Sequence, residues 1–172
     1  DSRECGWPMI AFVQLYHFTH DSSWLDHCED IFQFYLGKMN ESAEILYALP
    51  HGVGTFLQGY GEFATWRACF AYWEVVKRQE IKDFLVRCLT LESVYKVTPE
   101  RLARGGWGCN DLFPAWAAYK LTGETRFLEE NYPALRLMLK SAKGFQWGGV
   151  DVHYFLNELH RHGELDAFMN LR

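Results

Sequence analysis

Leu15-Tyr16-His17-Phe18-Thr19-His20-Asp21-Ser22-Ser23-Trp24-Leu25-Asp26 and Ala118-Tyr119-Lys120-Leu121-Thr122-Gly123-Glu124-Thr125-Arg126-Phe127-Leu128-Glu129 decide the fold. The two stretches agree in register at Tyr, Thr, acid, aromatic, Leu and acid. A weaker copy runs from Ala71-Tyr72-Trp73-Glu74-Val75-Val76 to Ile81, and a truncated one from Leu159 to Gly163-Glu164. Taking Tyr16, Tyr72, Tyr119 and Leu159 as anchors, the copies lie 56, 47 and 40 residues apart, a spacing suited to a repeated supersecondary unit. Within each copy, polar residues that favour helix ends separate two apolar runs, so the unit is a helical hairpin.

Periodicity around these turns agrees. Met9, Ile10, Val13 and Tyr16, then Leu25, Cys28, Ile31, Phe32 and Tyr35, recur at three and four residues, as one buried helical face requires. Leu and Ala number 33 against 13 for Val and Ile, a bias toward helix formers over strand formers. The expectation is an all-α chain of three hairpins and most of a fourth, with almost no strand. Inner helices fall near 7–18, 53–75, 110–122 and 149–161, and outer helices near 24–37, 78–95, 125–142 and 164–170.

With 172 residues, 49% apolar and 23% charged, the chain fits one folded domain, 1–172, and neither a disordered nor a collagen-like class. Charged residues and His interrupt every apolar run before it reaches the roughly 20 residues of a membrane span, so a soluble protein is expected. The net charge of -5, with Lys and Arg scattered among acids, argues against a nucleic-acid partner. The start of the chain lacks the basic and apolar pattern of a signal peptide, so targeting information is expected to be absent or removed. Five cysteines, at 5, 28, 69, 88 and 109, form no CxxC pair, and three lie in apolar helical patterns. Unpaired, mostly buried thiols follow, in a reducing compartment or a bacterial source. The sequence leaves the location open, cytoplasmic or bacterial periplasmic.

Each inner helix is preceded by a Gly- and aromatic-rich segment: Cys5-Gly6-Trp7-Pro8, His51-Gly52-Val53-Gly54, Gly105-Gly106-Trp107-Gly108 and Trp147-Gly148-Gly149. Pro8 suits a first helical turn. Trp7, Trp107 and Trp147 recur at one structural position, which points to a shared ligand-facing surface; Trp24, Trp66, Trp73 and Trp116 suit the core, and Tyr16, Tyr72 and Tyr119 suit packing between helices.

These features resemble the helical hairpins of (α/α) toroids, specifically the six-hairpin glycosidase and polysaccharide lyase superfamily. The resemblance rests on Leu-Tyr-x-x-Thr-x-Asp-x-x-Trp-Leu-Asp at 15–26, Tyr-Lys-Leu-Thr-Gly-Glu-Thr-Arg-Phe-Leu-Glu-Glu at 119–130 and Gly-Trp-Pro-Met at 6–9, and spans nearly the whole chain. It implies part of a toroid whose inner-helix leading loops line a sugar-binding funnel, and a glycoside hydrolase or polysaccharide lyase acting on an oligo- or polysaccharide. Six hairpins close such a ring, so an arc of about three and a half implies the remainder of a larger chain or a homo-oligomer.

On that reading Asp111 is the general acid, Glu4 or Asp151 its carboxylate partner, and His51 a substrate-orienting group or alternative base. A lyase would pair His51 with Tyr60. Trp7, Trp107, Trp147, Asn110, Tyr60 and His153 complete the substrate surface. The competing roles are helix caps for Asp111 and His51. Two alternatives stand beside an enzyme of this kind: a non-catalytic helical scaffold holding a protein partner, and a zinc-dependent cyclase toroid of the lanthionine synthetase type, for which Cys109, His51 and His153 are candidate ligands. The second Cys beside a His-Gly that such a cyclase needs is missing, and no metal or cofactor is expected.

Overall fold

The computed structural model describes residues 2–39, 45–49, 52–56, 60–98, 100 and 112–140, with 156–157, 159–161, 163, 165–166 and 170 near the C-terminus. Side chains are described outside 2–4, 45–49, 52–56, 60–63 and 138–140. The chain is all-α in class, and its strand among the described residues is confined to one two-stranded hairpin. It divides into two compact units, Asp1–Cys88 and Leu89–Arg172.

In the first unit, α1 (Ser2–Thr19) and α2 (Ser23–Leu36) form the first hairpin. Strands β1 (Ile45–Leu49) and β2 (Gly52–Phe56) pair antiparallel, with Tyr47 opposite Gly54 and Leu49 opposite Gly52. Then come α3 (Tyr60–Val76) and α4 (Gln79–Leu89). α1 buries Met9 and Val13, α2 buries Cys28, Phe32 and Tyr35, and α3 is buried on every face from Ala64 to Phe70. Phe32 meets Phe84 edge-on, with centroids 5.4 Å apart, and Phe84 also lies 6.4 Å from Trp66, which joins α2, α3 and α4 in one aromatic core. α1 and α3 approach closely at Gly6: a Cβ there would lie 2.7 Å from the Ala64 carbonyl carbon, inside any permitted contact.

Two expectations are corrected here. The first inner helix starts at Ser2 rather than near 7, so Cys5-Gly6-Trp7-Pro8 is helix and not a leading loop. Gly6 is present for close packing on Ala64, and Pro8 sits inside the helix, where it lacks the N–H that would reach the Glu4 carbonyl. The second inner helix starts at Tyr60 rather than 53, because Val53, Thr55 and Phe56, all strand formers, pair with Ile45–Leu49.

In the second unit, α5 (Glu92–Tyr95) precedes α6 (Phe113–Thr122), α7 (Arg126–Glu129) and α8 (Tyr132–Lys140). The expected outer helix 125–142 is thus two helices. Pro133 cannot donate to the Glu129 carbonyl, and the chain turns there. Buried Asn131 stabilises the turn: its Oδ1 accepts from the Val97 N–H at 2.8 Å and its Nδ2 donates to the Phe127 carbonyl at 2.8 Å. Tyr95 stands edge-on to Phe127 at 4.8 Å and donates its hydroxyl to Glu130 at 2.9 Å. The expected outer helix 78–95 is likewise interrupted, between Leu89 and Glu92. The expected helices at 149–161 and 164–170 lie largely outside the described residues.

The repeated sequence motif is a repeated turn. His20, Lys77 and Gly123 have φ of 57°, 53° and 79°. Their N–H groups donate to the carbonyls four residues back, Tyr16, Trp73 and Tyr119, at 2.8, 2.8 and 2.7 Å. This is a left-handed C-terminal cap made three times. In the first and third copies a threonine locks it further. Thr19 and Thr122 donate to the Leu15 and Ala118 carbonyls at 2.8 and 2.7 Å, and each hydroxyl accepts from an N–H two residues on, Asp21 or Glu124, at 3.2 Å. The anchor of the middle copy is therefore Trp73, not Tyr72, and the register shifts by one. Tyr72 is buried as expected of a packing residue, and Trp66 and Trp116 lie in the core; Trp24 and Trp73 are half-buried.

A non-glycine residue in the left-handed region costs about 1 kcal/mol. At Gly123 a Cβ would meet nothing within 4 Å, so substitution there tests conformation alone. Gly123→Ala is expected to lower the unfolding free energy by about 1 kcal/mol and His20→Gly to raise it by up to the same amount. Lys77→Gly should gain less, because it also removes the ammonium held 4.0 Å from the Trp73 ring centroid. Chemical denaturation of the three variants measures these differences.

Candidate functional site

Of the ten residues expected at a site, Trp7 is the one whose side chain is described. It projects from α1 with 40% of its surface exposed. Glu4 lies in the first turns of α1 and Tyr60 is the first residue of α3, so both occupy helix N-terminal positions, while their side chains lie outside the described residues. His51, Trp107, Asn110, Asp111, Trp147, Asp151 and His153 lie outside the described residues, as does Cys109.

The described polar chemistry gathers elsewhere, around Glu29 of α2. Its Oε2 accepts from the Tyr72 hydroxyl at 2.7 Å and from Arg78 Nη1 at 2.5 Å, and its Oε1 accepts from Gln33 at 2.8 Å. Arg78 reaches on to Glu80 at 2.5 Å. Burial pushes the Glu29 carboxyl up, but the hydrogen bonds from Arg78, Gln33 and Tyr72 outweigh it and leave the group below its ordinary range. Burial and donation to Glu29 both push the Tyr72 phenol up, and Glu29 raises Arg78 in turn. The carboxylate is ionised and saturated with donors, and the phenol stays protonated. This set is built to clamp α2 to the α3–α4 turn rather than to move protons.

The sequence pattern missed Glu29 and Arg78, although one signal was present. At the turn position where the other copies carry Asp21 and Glu124, the middle copy carries Arg78, and the opposite charge needs its own partner. Asp21 works differently. Its carboxylate accepts the Ser23 N–H at 2.9 Å at the start of α2, and that bond holds its carboxyl below the ordinary range.

On the α1–α2 hairpin, Phe12 and Trp24 stack at 5.8 Å with 16° between their planes, and His27 lies 5.1 Å from Phe12. These rings pack across the two helices. The thiols of the first unit are equally structural. Among the described residues Cys5, Cys28, Cys69 and Cys88 form no disulfide, and the last three are buried. Burial pushes Cys28 and Cys88 up to about 12 and Cys69 well above its ordinary value, so at neutral pH they are thiols and not nucleophiles. Among the described residues no group of three or more His, Cys, Asp or Glu side chains could hold a metal ion. No helix among them is long and apolar enough to cross a membrane.

No protein-family model, curated protein or solved structure matches the chain.

Because Glu29 is held below the ordinary carboxyl range, its contribution is complete above about pH 4.3, the unfolded value, and is lost as the pH falls through the lower native value. Arg78 and Glu29 are 40% and 29% exposed, so solvent screening keeps the contribution near 1 kcal/mol. Glu29→Gln should cost about that much at pH 7 and make the acid side of the stability profile shallower. Urea denaturation between pH 7 and 3 reads both effects.

Proposed function

We propose that this chain is a carbohydrate-active helical-hairpin domain, a hydrolase or lyase acting on an oligo- or polysaccharide, built as an arc of an (α/α) toroid. The left-handed turn carries the reading: it closes α1, α3 and α6 in the same way and gives physical form to the Tyr-x-x-Thr-x-acid motif on which the toroid resemblance rests. Repetition of one hairpin is what such a ring requires. Exposed Trp7 supports a stacking surface at the N-terminal part of α1, since an indole held half in solvent offers a flat apolar face to a sugar ring. Asp111, Glu4, Asp151 and His51 are the proposed reacting groups, with Trp107, Trp147, Asn110, Tyr60 and His153 around the substrate. A soluble cytoplasmic or periplasmic protein fits this reading.

The second reading is a helical scaffold that binds a protein partner. It is favoured by the apolar exposure of α1, where Leu15 and Phe18 are exposed along with Trp7.

Neutral and acidic polysaccharides are to be screened for new reducing ends and for the ultraviolet absorbance of an unsaturated product. A hydrolase yields the first alone and a lyase yields both. Asp111→Asn and His51→Ala are expected to abolish turnover. Trp7→Ala should weaken oligosaccharide binding roughly tenfold, about 1.4 kcal/mol, with helicity unchanged. Glycan-binding silence and full turnover in both site variants would contradict the reading.

A further inference from the structure

Sulfur is concentrated in the core of the first unit. Cys28, Cys69 and Cys88 are fully buried, and Cys69 lies within electrostatic reach of the other two. Burial keeps all three as thiols, so an oxidant that needs a thiolate finds none in them. A thioether reacts without losing a proton. Of the methionines with described side chains, Met9 is 0% exposed and Met39 is half-buried.

Met39 stands at the edge of this core, three residues past the end of α2. Its N–H donates to the Leu36 carbonyl at 3.3 Å, and its Sδ accepts from the Cys88 thiol of α4 at 3.7 Å. Contacts between these two parts of the chain advance together: Glu29 holds Arg78 just before α4, Phe32 meets Phe84, and Met39 meets Cys88 one helical turn further on. The last contact is made through an oxidisable atom that solvent can approach. It joins a weak acceptor to a weak donor, so it is held by packing rather than by a strong hydrogen bond.

We propose that Met39 is a modification site for peroxides, and that its sulfoxide loosens the end of α2 from α4. The thioether sulfur attacks hydrogen peroxide and the O–O bond breaks; one oxygen stays on sulfur and the other leaves as water, so sulfur is oxidised by two electrons and the peroxide is reduced by two. The product is a polar group that demands a strong donor or water. Cys88 offers only a weak donor in a buried place, so the sulfoxide is better satisfied when Met39 turns outward and gives up the contact. Sulfoxide reduction restores the thioether, which makes the change reversible. The inference does not rest on the carbohydrate reading, since none of the residues proposed for that site takes part.

The test treats the 172-residue chain and a Met39→Leu variant with hydrogen peroxide, reads the gain of oxygen at each methionine by peptide mass spectrometry, and follows urea denaturation by circular dichroism. Leucine keeps the apolar volume and removes the sulfur. Met39 is expected to oxidise well before Met9. Oxidation should lower the wild-type urea midpoint by about 0.5 M more than that of Met39→Leu, and treatment with methionine sulfoxide reductases should restore it. Met138 and Met169 are common to both proteins, so the difference between them reads Met39 alone. Hydrogen exchange on the wild type gives a reading independent of the variant: amides at the end of α4 should exchange faster after oxidation. Met39 no more reactive than Met9, equal midpoint changes in the two proteins, or unchanged exchange in α4 would overturn the proposal.

Discussion

A backbone N–H in the left-handed region, donating to the carbonyl four residues before it, closes α1, α3 and α6, and the rest of the architecture depends on it. The bond caps a helix whose last carbonyls would otherwise lack partners and turns the chain so that the next helix can pack back on it. Three residue types hold the conformation in three ways. Gly123 has no Cβ to strain; Lys77 sets its ammonium over the Trp73 ring; and the turn at His20 is braced by Thr19, which donates to one backbone group and accepts from another. The same threonine bracing recurs at Thr122, beside the glycine.

Once each hairpin exists, its apolar faces must be covered. In the first unit a very close approach of α1 and α3 at Gly6 and Ala64 covers part of them, with an aromatic core of Phe32, Trp66 and Phe84 between the helices. Polar groups fasten the periphery: Glu29 ties α2 to Tyr72 and Arg78 in the first unit, and Asn131 ties the Val97 backbone to the end of α7 in the second. Both satisfy hydrogen-bonding groups that would be expensive to leave unmade, half-buried at Glu29 and fully buried at Asn131.

Much of this was legible in the residues, and the failures have physical causes. Leu15–Asp26 and Ala118–Glu129 betray their common turn because Thr and the acid take part in its hydrogen bonds. The middle copy was misaligned by one residue because Val76 and Arg78 stand where those residues should be, leaving two neighbouring aromatics, Tyr72 and Trp73, as equally good anchors. Glycine misled twice. Gly6 signals close packing inside a helix and Gly52 and Gly54 belong to a strand, yet each looks like a loop when read beside Trp7-Pro8 or His51. Pro133 carried a readable break that the apolar periodicity of 125–142 concealed. Of the candidate site, Trp7 is exposed, and its place within α1 differs from the leading loop that Gly6 and Pro8 suggested.

The central claim is that one turn, in one register, recurs along the chain. Scalar couplings across hydrogen bonds, measured by NMR on the isotope-labelled protein, test it most directly. Couplings from the amides of His20, Lys77 and Gly123 to the carbonyls of Tyr16, Trp73 and Tyr119 are the predicted result, each with the strong intraresidue amide-to-Hα contact of a positive φ. Absence of the Lys77 to Trp73 coupling, or its replacement by one to Tyr72, would contradict the account.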